Sequence, residues 1–125
     1  MAHKILLIDD EKVIVQVVKD VLEENHYEVA VAYDGREGFD KAKTEDPDLI
    51  VLDIHMPAMN GYEFMRALRA QKVIEGRPMT PVIMLTVNPT MKDLFRLEGV
   101  KGYFVKPVKM DVLVQKIKEC LGSDG

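Results

Sequence analysis

The chain has no tryptophan and a single cysteine, Cys120, in 125 residues. One thiol excludes an internal disulfide, and at the end of an amphipathic stretch Cys120 reads as a small apolar helix residue. No apolar run approaches the roughly 20 residues of a membrane span. The opening MAHKILLIDD lacks the long apolar stretch and small-residue cleavage site of a secretory signal, so the expected location is the cytoplasm, with no membrane contact. An excess of positive charge is also missing: 17 Lys and Arg stand against 21 Asp and Glu, a net charge of -4. That balance argues against direct nucleic-acid binding, which needs a concentrated basic face. Neither G-x-x-x-x-G-K-[ST] nor G-x-G-x-x-G follows a strand-like run, which disfavours a nucleotide-binding domain. There is no internal repeat, no low-complexity stretch and no linker before the final GSDG.

What is present is ordinary in amount and specific in arrangement. With 47% apolar and 30% charged residues, the chain suits one globular domain. Short apolar runs rich in β-branched residues at 5–8, 27–33, 49–52, 82–85 and 103–105 read as strands. Between them, apolar positions recur at helical spacing. Val13, Ile14, Val17, Val18, Val21 and Leu22 form one stripe, with Asp20, Glu23 and Glu24 away from it. Further helices are predicted at 35–46, 61–73, 89–98 and 109–121. Asp34 with Glu37, Asn60 with Glu63, and Asn88 before Pro89 supply the starting caps, and Gly99 and Gly122 close the last two.

Five strands alternating with five helices imply right-handed crossovers and an α/β fold, a doubly wound parallel sheet. The runs 5–8, 49–52 and 82–85 are apolar throughout, as central strands require, whereas 27–33 admits Glu28 and suits an edge. Order 2-1-3-4-5 satisfies both and opens a crevice where strands 1 and 3 end.

Those strands end in residues that make poor core. ILLI runs into Asp9-Asp10, LIVL into Asp53, VIML into Thr86 and YFV into Lys106-Pro107. Three converging carboxylates repel one another, so a cation or a raised pKa is required. Magnesium is the economical choice, because it takes hard oxygen ligands, keeps several waters and is commonly held by one or two carboxylates with phosphate oxygens. One carboxylate could then act as a nucleophile toward phosphorus, with Lys106 and the Thr86 hydroxyl facing the transferred group.

Asp9-Asp10, Asp53 followed by MPAMNG (Met56 to Gly61), Thr86 and Lys106-Pro107 together resemble the signature of the response-regulator receiver domain of two-component phosphorelays, over nearly the whole chain. The resemblance implies a flavodoxin-like receiver domain at 1–121, with 122–125 a flexible tail or the start of a linker. It implies that Asp53 accepts a phosphoryl group from a phosphohistidine on a sensor histidine kinase or phosphotransfer protein. Asp10, Asp53 and the backbone carbonyl of His55 would bind Mg2+, with Asp9 assisting through water. Lys106 would contact the phosphoryl group across a cis bond to Pro107, and Thr86 would move toward its oxygens. Tyr103 would turn inward as Thr86 shifts. The output would be a repacked surface around helix 4, strand 5 and helix 5, read by a downstream effector protein or a fused effector domain. A homodimer on phosphorylation is compatible with it, although no exposed apolar stripe stands out in the sequence.

Other readings compete. Asp10 alone suits a helix N-cap, Thr86 an ordinary strand residue, Lys106 a solvated lysine, and Tyr103 static packing. The eight methionines read as gap-fillers. A magnesium-dependent phosphohydrolase would use the same nucleophile, but Asp53-Ile54-His55 lacks the second acid of D-x-D. A receiver fold kept only for protein binding predicts loss of acidic residues that are all present. Some positions depart from the family pattern: Val87 after Thr86, a short segment from Thr86 to Lys106, a long QKVIEGRPMTP predicting a bulging loop, Val108, and Lys109 as a poor cap.

Overall fold

A computed structural model describes residues 2–122. The last three residues of the expected tail, 123–125, lie outside the described residues. The chain alternates strand and helix throughout: β1 (Lys4–Ile8), α1 (Lys12–Glu24), β2 (Glu28–Ala32), α2 (Gly35–Glu45), β3 (Leu49–Leu52), α3 (Gly61–Glu75), β4 (Val82–Thr86), α4 (Lys92–Leu97), β5 (Gly102–Val105) and α5 (Met110–Leu121). All strand pairs are parallel, in order β2-β1-β3-β4-β5.

Strand periodicity divides the core in two, because successive side chains point to opposite faces. Leu6, Ile8, Ile50, Leu52, Val82 and Met84 pack with Ala42 of α2, Phe64 and Leu68 of α3, and Phe95 of α4. Ile5, Leu7, Leu49, Val51, Ile83 and Leu85 pack with Val15, Val18 and Leu22 of α1 and Leu113 and Ile117 of α5. The central strands are thus buried on both faces, while β2 and β5 are largely half-buried edges. Each fully buried aliphatic side chain contributes about 1.5–3 kcal/mol of transfer free energy, so the sheet is a rigid platform for whatever its ends carry. Met56, Met65 and Met84 are buried in the first of these clusters. Cys120 packs at the edge of the second, and burial raises its thiol pKa.

Local chemistry sets several helix starts. The Asp34 side chain accepts the Glu37 N–H at the head of α2. Asn60 and Glu63 form a reciprocal capping box at α3, with Asn60 Oδ1 accepting the Glu63 N–H at 2.9 Å and Glu63 Oε1 accepting the Asn60 N–H at 3.0 Å. Asn60→Ala is expected to cost about 1 kcal/mol, measured by chemical denaturation; an unchanged midpoint would show the cap to be dispensable.

Two sequence-based boundaries need correction. Helix α4 starts at Lys92, three residues after Pro89, and Asn88 is not its cap; the Asn88 side chain accepts from Thr90 N–H and Oγ1 instead, each at 2.8 Å. Helix α3 runs past the predicted residue 73 to Glu75 and ends on Gly76 in the left-handed region at φ 66°, so the loop before β4 begins later than expected. The competing reading of Asp10 as the cap of α1 does not hold: Glu11 occupies that position, without a side-chain cap bond. Lys109 likewise makes no side-chain cap bond at α5.

Candidate functional site

Register alone brings the polar strand ends together. Ile8 pairs with Leu52, so Asp9 and Asp53 leave adjacent strands at the same level, and the Asp53 N–H donates to the Ile8 carbonyl at 3.1 Å. Thr86 pairs with Val105, and the Lys106 N–H donates to the Thr86 carbonyl at 2.7 Å. The Lys106–Pro107 peptide is cis. The crevice lies at the carboxyl ends of β1 and β3, where the winding direction of the sheet reverses.

Carboxylate oxygens of Asp9, Asp10 and Asp53 lie within 4.8 Å of one another. Asp9 and Asp53 are buried while Asp10 is exposed at the rim. The Lys106 ammonium faces them, at 2.6 Å from Asp9 Oδ2, 2.9 Å from Glu11 Oε1 and 3.7 Å from Asp53 Oδ2. One ammonium does not neutralise that much negative charge in a partly dry site. Burial raises the Asp9 pKa, the bond from Lys106 works against that rise, and the Asp53 charge adds to it. For Lys106, burial lowers the pKa, but the bonds to Asp9 and Glu11 outweigh it and the net shift is upward. The donor set, all hard oxygen with surplus negative charge, fits a divalent cation of the magnesium class. Asp10→Ala is expected to weaken Mg2+ binding by more than about tenfold while keeping the fold, since even outer-shell changes cost that much; an unchanged calorimetric titration would contradict it.

Asp53 is presented in a defined pose. Its Oδ1 accepts the Ile54 N–H at 2.7 Å, leaving Oδ2 on the Lys106 side. Behind it, Gly61 packs against the Asp53 backbone. Thr86 is fully buried and its Oγ1 accepts the Asn88 N–H at 3.3 Å. Tyr103 sits on β5, half-buried, its hydroxyl donating to the Asn88 carbonyl at 2.6 Å and its ring 6.3 Å from that of Phe95. Tyr103 thus has a hydrogen-bond acceptor and an aromatic neighbour in the position it occupies. His55 is exposed on the loop after β3, with Nε2 3.3 Å from Asn88 Nδ2.

Two contacts had no sequence signal. Glu11 holds Lys106 from 95 residues away, and Asn88 meets His55 across 33 residues. Exposed apolar side chains also emerge at Leu97 of α4, Val105 of β5 and Val112 of α5, a distribution that three separate elements hide from any periodicity count.

A flavodoxin-like sheet whose carboxyl edge gathers three aspartates, a threonine and a lysine defines a class of acid-site signalling domains. Residues 5–118 match the family model described as the response regulator receiver domain, and the chain belongs to that family. It is a phosphoacceptor module of two-component signalling, a switch rather than a turnover enzyme. It is 40% identical over 123 residues to the alkaline phosphatase synthesis transcriptional regulatory protein PhoP of Bacillus subtilis, covering 97% of this chain and 49% of that protein. The chain thus spans about half the length of that curated relative. The structure resembles the chemotaxis response regulator CheY4 of Vibrio cholerae, at 35% identity and a TM-score of 0.86, covering 97% of this chain and all of that one. It also resembles the receiver domain of the sensor histidine kinase PA1611 of Pseudomonas aeruginosa, which holds a magnesium ion in its active-site cleft, at 29% identity, a TM-score of 0.84, and coverage of 98% and 100%. Among the described residues, no helix is long and apolar enough to cross a membrane.

Proposed function

We propose that Asp53 takes a phosphoryl group from a phosphohistidine on a sensor kinase or phosphotransfer protein, with Mg2+ held by Asp10, Asp53 and the His55 carbonyl and with Asp9 assisting through water. The observation that carries this reading is the convergence of three carboxylates and the Lys106 ammonium at one sheet edge.

The phosphorus–nitrogen bond of the donor breaks as a carboxylate oxygen of Asp53 forms a bond to phosphorus. The imidazole keeps the electron pair and takes a proton from solvent. Such transfers ask mainly for positioning and for positive charge around the equatorial oxygens. The bound ion supplies part of that charge. Lys106 supplies more, its side chain only 8% exposed, so its charge acts through little screening water. The Ile54 N–H fixes the rotation of the Asp53 carboxylate. The Thr86 hydroxyl accepts from Asn88, so its own proton is free for a phosphoryl oxygen. A docking platform for the donor is at hand beside the site, where Ile14, Val17, Val87, Pro107 and Val108 line an apolar groove.

Output would pass from Thr86 to Tyr103 and the surface of α4, β5 and α5, for a downstream partner, a fused effector domain or a second copy of the chain. Leu97, Val105 and Val112 on that surface support such an association. Location in the cytoplasm follows from the same role. The test is intact mass after incubation with a small-molecule phosphodonor. One base-labile phosphoryl group with Mg2+ present, and none with a chelator, is the expected result. Uptake independent of metal, or no uptake at all, would overturn the proposal.

A further inference from the structure

Asn88 uses every hydrogen-bonding group it has, on four different residues. Its N–H donates to Thr86 Oγ1 at 3.3 Å, and its carbonyl accepts the Tyr103 hydroxyl at 2.6 Å. Its Oδ1 accepts two bonds from Thr90, each at 2.8 Å. Its Nδ2 lies 3.3 Å from His55 Nε2. Because Oδ1 is committed to two donors, turning the amide over would set its NH2 against them. The amide hydrogens therefore face His55, and the bond calls for a lone pair on His55 Nε2.

Residues 54–60 otherwise bond to Asp53, within their own loop, or to α3: Ile54 N–H to Asp53 Oδ1, Gly61 N–H to the Ile54 carbonyl, Met59 N–H to the Pro57 carbonyl, Phe64 N–H to the Asn60 carbonyl, and the Asn60–Glu63 box. Among the hydrogen bonds of the described residues, the His55–Asn88 pair is the one that joins residues 54–60 to residues 87–91. We propose that the pair is a positioning link, coupling the loop whose His55 carbonyl would hold the metal to the segment that steadies Thr86 and anchors Tyr103. It rests on the reading of Asp53 as a metal-dependent phosphoacceptor, and goes beyond it by assigning a route between ion and switch.

The physical logic is short. An ion held by the His55 carbonyl would shift the backbone that carries the His55 ring. The ring is bonded to an amide whose other end is pinned by Thr90, so the shift passes to the Asn88 backbone, where Thr86 and Tyr103 are both attached. Coupling of this kind is reciprocal, so placing Thr86 on a phosphoryl group favours the ion-bound loop by the same factor. A single exposed neutral hydrogen bond limits that factor to about two- to tenfold.

The test is a Mg2+ titration followed by NMR with ring-labelled tyrosine and labelled asparagine side chains. In the parent, the Tyr103 ring and Asn88 amide signals are expected to move together in one saturable titration. His55→Leu removes the acceptor yet leaves the carboxylates and the backbone carbonyl, so Mg2+ still binds within about tenfold of parent affinity while the Tyr103 response is lost. His55→Gln, whose side-chain oxygen also accepts, restores the response. A full Tyr103 response in His55→Leu, or failure of His55→Gln to restore one that was lost, overturns the link. A parent that binds Mg2+ without any Tyr103 response overturns the link alone; a parent that binds no Mg2+ overturns the metal-dependent function and the link with it.

Discussion

Asp53→Asn is expected to abolish phosphoryl uptake and, without metal, to raise the stability of the protein by about 1 kcal/mol, or ~4 °C in Tm. No neighbouring acid stands in for it, since Asp9 Oδ2 is held at 2.6 Å by Lys106 and Asp10 lies at the rim. The amide keeps the size of the carboxylate and still accepts the Ile54 N–H, so packing is preserved. What changes is charge: one of three clustered carboxylates disappears, and Lys106 retains Asp9 and Glu11. The pH dependence follows from the same cluster. A carboxyl with a pKa raised in the native state holds more protons there than in the unfolded chain, so Asp9 makes stability fall as pH rises from its ordinary 3.8 through its raised native value. Without the Asp53 charge that rise is smaller, and Asp53→Asn should flatten the decline. Intact mass and thermal denaturation in chelator across pH check both halves. Uptake in the variant, or a lower Tm, would contradict this account of the site.

The second large effect is expected from Gly61→Ala. A Cβ at Gly61 would stand 2.7 Å from the Asp53 carbonyl oxygen and 2.9 Å from the Ile54 Cα, both backbone atoms that cannot rotate aside. The first turn of α3 is held there by the Gly61 N–H bond to the Ile54 carbonyl at 2.8 Å. Relief requires the helix start or the end of β3 to move by several tenths of an ångström, costing about 1–3 kcal/mol. Since the displaced backbone carries Asp53, the proposed phosphoacceptor, the phosphorylation rate should fall by up to about 100-fold, the penalty of a misplaced reacting group. Stopped-time phosphorylation assays beside denaturant melts would separate the two losses. A variant as stable and as fast as the parent would show that α3 does not support Asp53 through this contact.

Much of the architecture is written locally. LIVL at β3 and VIML at β4 are apolar on both faces because helices cover both, and Glu28 marks an edge because one side of β2 is open. Asp9, Asp53, Thr86 and Lys106 were legible because each interrupts an apolar run at a strand end, and parallel strands put all their ends on one edge. Asn60 was legible as a cap because its box partner is three residues away.

Asn88 was misread because one competing partner is distant in sequence and the other, Thr90, holds it in a turn rather than a helix cap. In a helix beginning at Pro89 its carbonyl would accept a bond from the first turn; here Tyr103, 15 residues on, takes that carbonyl, and Thr90 takes the side chain. The end of α3 was misread for a different reason. Lys72 is buried there while Val73 and Ile74 are 74% and 79% exposed, which inverts the periodicity that marks a helix face. The contacts of Glu11 with Lys106 and of Asn88 with His55 depend on tertiary register and leave no mark in spacing.

The central claim is that Asp10, Asp53 and the His55 carbonyl share one divalent ion beside Lys106. Crystals soaked in Mn2+, an oxygen-seeking stand-in whose anomalous scattering identifies it, test this directly. The account predicts a single strong anomalous peak within coordination distance of those three groups, lost in Asp10→Ala. A peak elsewhere on the molecule, or none at the carboxyl edge of β1 and β3, would contradict it.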